Sequence, residues 1–94
     1  MISKNKIKIL KSLNTKKGRS SHKIILIEGK RLIEEVLVEK NKIIAIWATG
    51  KFKNQNPAFI EQLKNKNFNF QIISNQEIKI VTNTINPQGI IATS

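Results

Sequence analysis

Apolar and polar positions divide the chain into short periodic segments. Ile7, Leu10 and Leu13 recur at helical spacing behind Ser3, so a helix is predicted over residues 3–13 with Ser3 as its N-cap. Lys4, Lys8 and Lys11 fall at i, i+4 and i+7 on another side of that helix. Residues 14–22, Asn-Thr-Lys-Lys-Gly-Arg-Ser-Ser-His, contain no apolar member and are expected as an exposed loop flexing at Gly18. Residues 24–27, Ile-Ile-Leu-Ile, form a continuous apolar run that suits a strand covered on both faces, and Gly29 interrupts it. A second helix is predicted over residues 30–39, with Leu32, Ile33, Val36 and Leu37 as its buried stripe. Lys30 with Glu34, and Arg31 with Glu35, stand four apart on its exposed side. Asn41 punctuates its end, and residues 42–49 read as a second strand.

Asn56 followed by Pro57 marks another helix start, and Phe59, Ile60 and Leu63 give its apolar stripe. A third strand holds Phe70, Ile72 and Ile73. Ser74 and Glu77 have the spacing of a capping box opening a short helix through Val81. A polar loop over residues 82–88 leads to a last strand over residues 89–92. Helices alternating with strands predict an α/β layered domain whose sheet is largely parallel. The chain stops directly after the last strand, which suggests a domain taken from something longer.

Composition sharpens this picture. The 94 residues suffice for one domain, and with aromatics at 5% the core must be aliphatic. The formal net charge of +11 points to a polyanionic partner, nucleic acid before an acidic membrane. Abundant Lys, Asn and Ile with no Asp also mark an AT-rich genome, so the distribution of charge says more than its total. Residues 1–23 carry eight basic side chains and no acid, whereas Glu34, Glu35 and Glu39 share one later helix. Such segregation implies a basic N-terminal face. No Cys is present, which excludes disulfides and thiolate chemistry. No apolar run approaches the roughly 20 residues that span a bilayer, and no signal peptide is evident, so the cytoplasm is the default compartment.

Catalytic patterns are scarce. His22 is the only His and has no nucleophile or acid beside it in sequence, and metal-ligand spacing and a phosphate-cradling Gly-rich loop are both missing. No catalytic, metal or cofactor-binding residue is assigned. The basic cluster is the strongest chemical feature: Lys16, Lys17 and Arg19 lie beside Ser20 and Ser21, whose hydroxyls also bond phosphate oxygens. Lys supplies a mobile point charge and Arg a planar fork that fits a phosphate edge. Neutralising five phosphates would give a salt slope of about −3.5 to −4.5 in log K against log salt. With no aromatic in the cluster, backbone and shape recognition of folded RNA or DNA is favoured over base stacking.

The run Lys-Lys-Gly-Arg at residues 16–19, the string Ile-Glu-Gly-Lys-Arg-Leu-Ile-Glu-Glu-Val-Leu at 27–37 and Pro-Gln-Gly-Ile-Ile-Ala at 87–92 together resemble the N-terminal substrate-binding domain of SpoU/TrmH-family RNA 2′-O-ribose methyltransferases. The opening Ser3, Asn5, Ile7 and Lys8 are similar as well, so the likeness covers essentially the whole chain. It implies a three-layer α/β/α sandwich around a small, mostly parallel four-stranded sheet, of the type found in ribosomal proteins that bind kink-turn RNA. It also implies that residues 1–94 dock structured RNA, ribosomal before transfer RNA. Methyl transfer from S-adenosylmethionine, and any homodimer contact, would belong to a knotted catalytic domain outside these residues. Phosphate or RNA contact is transferred to Lys16, Lys17 and Arg19, with Lys8, Lys11, Arg31, Asn5 and Gln88 as further candidates. Each has a plainer alternative: Lys8 and Lys11 as a solvated face, Arg31 paired with Glu28 or Glu35, Asn5 merely hydrated, and Gln88 serving the turn with Pro87 and Gly89. Glu28 and Gly29 are expected to shape the strand-to-helix turn. Two other readings compete, a free-standing kink-turn-type RNA-binding protein and an architectural domain within an enzyme dimer.

Overall fold

The computed structural model describes residues 2–38 and 42–94; the predicted placements of Glu39 and Asn41 lie outside the described residues. In chain order the elements are α1 (Lys4–Ser12), α2 (Lys16–His22), β1 (Leu26–Glu28), α3 (Lys30–Leu37), β2 (Ala45–Ala48), α4 (Gly50–Gln55), α5 (Pro57–Asn65), β3 (Gln71–Ile72), α6 (Asn75–Thr82) and β4 (Ile90–Thr93).

Side chains alternate across the two central strands, and this alternation builds two cores. Ile46 and Ala48 of β2, with Ile90 and Ala92 of β4, face Ile33, Phe52, Phe59 and Leu63 from α3, α4 and α5. Trp47 and Ile91 face the other way, onto Leu10 of α1, Leu13 just after it, and Ile78 and Val81 of α6. The result is the expected three layers. Leu32, placed by periodicity in the buried stripe of α3, is instead 51% exposed, while Ile33 and Leu37 carry the contact.

The sheet order is β1-β4-β2-β3. Only β2 and β3 pair in parallel; β4 is antiparallel to both of its neighbours, β1 and β2. The expectation of a mostly parallel sheet is therefore corrected. Alternation implies parallel strands only if each helix carries the chain back across the sheet. Ala48 sits opposite both Ile72 and Ile90, so β3 ends and β4 begins at the same end of the sheet. The eight residues of α6 advance about 12 Å, and the polar segment 83–89 retraces that distance. Asn83, left-handed at φ 53°, closes α6 and turns the chain back.

Two helices escape periodicity. Residues 14–22, expected as a loop, instead fold largely into α2, capped by Thr15, whose side-chain oxygen accepts from the Gly18 amide at 3.0 Å. Gly18 is a packing residue and not a flexible point: it is buried, and a Cβ there would run into the Ser12 carbonyl oxygen. α4 is opened by Thr49, whose hydroxyl accepts from the Phe52 amide at 3.1 Å. Asn56 marks the start of α5 without a side-chain cap; its amide Nδ2 donates to the Phe52 carbonyl at 3.0 Å and closes α4. The capping box of Ser74 and Glu77 forms with both reciprocal bonds in place, at 2.9 and 3.0 Å. No described helix is long and apolar enough to cross a membrane.

Candidate nucleic-acid interface

The first candidate surface is the outer side of α1 and α2. Residues 13–15 reverse the chain so that α2 folds back on the end of α1. Three bonds hold the reversal. The Thr15 hydroxyl donates to the Ser12 carbonyl at 2.8 Å, the Asn14 amide Nδ2 donates to Lys11 at 3.0 Å and to Val81 of α6 at 2.7 Å, and Arg19 Nη1 donates to the Leu13 carbonyl at 3.0 Å. Only glycine at position 18 permits this approach. The basic cluster is thereby presented on a braced helix. Lys8, Lys11, Lys16, Lys17 and Arg19 are all exposed there, as is Asn5 on the first turn of α1. Lys16 and Lys17 stand in the first turn of α2, where the helix dipole disfavours cations, so the Thr15 cap and the Gly18 contact hold this helix and charge does not. Arg19 is partly committed, because one of its nitrogens already serves Leu13. His22 lies exposed in the last turn of α2, away from any assigned chemistry.

The second surface lies at the opposite end of the sheet. Ile25 pairs with Ser94 beyond one end of β1, and the Gly29 amide donates to the Ile90 carbonyl beyond the other. Those pairings are about 13 Å apart at strand rise. α2 leads into the first end. Arg31 and Gln88 belong to the second: Arg31 is exposed on the first turn of α3, and Gln88 is exposed in the loop before β4. The predicted contacts are therefore split between two faces and do not form one patch.

The second end carries the motifs that stood far apart in sequence. A Glu28 carboxylate oxygen accepts from the Gln88 backbone amide at 3.2 Å. Gly29 takes φ 102°, and a Cβ on it would strike the Gln88 side chain. Gly89 takes φ 93° with its Cβ direction 3.1 Å from Phe52 Cβ, so the loop lies against the first turn of α4. The Glu-Gly turn and the Pro-Gln-Gly loop thus meet, as their expected structural roles require.

Between α4, α6 and this loop lies an open cleft of about 380 Å³. Lys51 and Gln55 of α4, Asn75 and Lys79 of α6, and Asn86 and Gln88 of the loop supply its polar lining. Phe52, held edge-to-face on Phe59 with ring centroids 6.0 Å apart, is nearly buried at its base. No acidic residue lines it. Apart from Gln88, none of these residues was singled out from sequence. They occupy three separate elements with no common spacing, and only the turn signal at Asn86-Pro87 pointed to the region.

Comparison with known proteins gives a consistent result. The sequence profile of the MRM3-like substrate binding domain matches residues 4–92. An uncharacterized tRNA/rRNA methyltransferase of Synechocystis is 26% identical over 87 residues, which make up 93% of this chain and 32% of that protein. Among solved structures, an RNA 2′-O ribose methyltransferase superposes with a TM-score of 0.74 at 25% identity, covering 97% of this chain and 34% of its own. A protein of the TrmH RNA methyltransferase family from Porphyromonas gingivalis superposes with a TM-score of 0.72 at 22% identity, covering 99% and 35%. The chain thus spans about a third of the length of the relatives it matches.

Proposed function

This chain belongs to the MRM3-like substrate binding domain family, and from that premise we propose that it docks structured RNA, ribosomal RNA foremost, for ribose 2′-O-methylation. The methyl donor in this reading is S-adenosylmethionine, bound by a catalytic domain outside these residues, and any homodimer forms through that domain. Residues 1–94 serve as the RNA-binding unit and hold no catalytic group.

The observation that carries the reading is the braced α1–α2 surface. Lys8, Lys11, Lys16 and Lys17 project from two helices locked together by Gly18, Thr15 and Asn14. A fixed array of cations matches a fixed array of phosphates and loses little freedom on binding. Arg19 adds a fork with its remaining donors. Asn5 extends the same helical surface. Arg31 and Gln88 contact RNA at the other end of the sheet.

The test is fluorescence anisotropy with a structured ribosomal RNA fragment across a salt series, comparing the chain with a Lys16→Ala/Lys17→Ala double variant. Arg19 is retained because it holds the Leu13 carbonyl. Each phosphate contact removed should flatten the slope of log K against log salt by about 0.7–0.9, so the double variant should bind more weakly with a slope shallower by about 1.5–2. Identical slopes, or no binding by either protein at low salt, would refute docking through this surface and favour an architectural role.

A further inference from the structure

We infer that the cleft at the end of the sheet receives a single unpaired nucleotide of the bound RNA, and this inference rests on the RNA-docking reading above. Three chemistries converge on one concavity. Lys51 and Lys79, from α4 and α6, supply cations with no acid among the lining residues. Gln55, Asn75, Asn86 and Gln88 supply carboxamides, each with donors and an acceptor. Ile85, 82% exposed, and Pro87 offer apolar surface from the loop.

A phosphate or carboxylate alone would need donors only, so four carboxamides exceed what a simple anion requires. A nucleobase edge carries donors and acceptors side by side, which is what carboxamides read. An apolar side chain left almost wholly in water beside such groups is suited to the face of a base. The cleft, at about 380 Å³, lies at the small end of the roughly 300–1,000 Å³ typical of small-ligand sites. It therefore suits one nucleotide. A base enters only when its edge and faces are free, and extrusion costs least where the base is already unpaired, as in a bulge.

This site is separate from the α1–α2 surface in place and in task. The α2 lysines would hold phosphates without regard to sequence, and the cleft would select an unpaired residue. The loop carrying Asn86 and Gln88 is fixed by Gly89 against α4 and by the Glu28 carboxylate on the Gln88 amide, so the cleft is formed before RNA arrives.

The experiment compares two hairpin RNAs, one perfectly paired and one with a single-nucleotide bulge bearing each of the four bases in turn. Binding is measured for the 94-residue chain, for Lys51→Ala/Lys79→Ala and for Gln88→Ala, with circular dichroism confirming that each variant is folded. The unaltered chain should prefer at least one bulged hairpin about tenfold, a difference of about 1.4 kcal/mol. The cleft variants should lose that preference, while Lys16→Ala/Lys17→Ala should weaken both RNAs together and keep it. Equal binding of all hairpins by the unaltered chain, or a preference that survives in the cleft variants, overturns the inference. Failure of every RNA to bind overturns the docking reading with it. Titration with nucleoside monophosphates, followed through the Gly50 and Gly89 amide resonances, separates the remaining source: shifts there without a bulge preference assign the cleft to free nucleotides and overturn the RNA assignment.

Discussion

Replacing Gly18 by alanine tests the arrangement on which the basic surface depends. In a solvent-facing helix the change stabilises by about 1 kcal/mol, because alanine loses less backbone freedom on folding. In a loose loop it would be close to neutral. Here the new Cβ meets the carbonyl group of Ser12, which is backbone and cannot rotate aside as a side chain can. Overpacking of this kind costs about 1–3 kcal/mol. Relief requires α2 to lift away from α1, which breaks the Thr15 cap at a cost of about 1 kcal/mol and threatens the Arg19 bond to Leu13. Set against the propensity gain, the net loss is about 2 kcal/mol, or roughly 8–16 °C in Tm for a domain of this size. Thermal melting followed by circular dichroism at 222 nm measures it. A Tm equal to or above that of the unaltered chain would refute the packed α1–α2 pair, since both a loop and a free helix predict that outcome.

Two further substitutions probe the braces at either end of the sheet. Asn14→Ala removes the link from the end of α1 to Val81 of α6 and leaves a partly buried carbonyl without that donor, so unfolding in urea should show a loss of about 1–2 kcal/mol; an unchanged midpoint would show that α6 is held by apolar contact alone. Gly29→Ala places a Cβ at φ 102°, a region almost confined to glycine, and should cost about 1–3 kcal/mol. The same Cβ displaces the Gln88 side chain, so the amide resonances of residues 87–89 should move as well, and a spectrum unchanged there would contradict the contact.

Much of the burial pattern could be read from local spacing. The stripes of α1, α5 and α6 place Leu10, Phe59, Ile60, Leu63, Ile78 and Val81 in the cores, and the Ser74–Glu77 capping box closes as its spacing requires. The Glu-Gly and Pro-Gln-Gly motifs, read as turn-forming, meet at one end of the sheet. These features succeed because a helix repeats over a few residues and a cap needs only its own first turn. α2 could not be found that way. It has no apolar stripe, and it is held by one glycine against a backbone carbonyl, a contact that leaves no periodic trace.

The sequence by itself determined the alternating elements, the aliphatic core and the segregation of charge toward residues 1–23, since each follows from side-chain chemistry at short range. Only the tertiary structure decided the direction and order of the strands. The segment 83–89 retraces α6, β4 slots between β1 and β2, and the sheet becomes mostly antiparallel. That choice depends on where a loop returns the chain, which spacing of apolar residues does not encode. It also separates Lys16 and Lys17 from Arg31 and Gln88, and it gathers Lys51, Asn75 and Gln88 from three elements around one cleft.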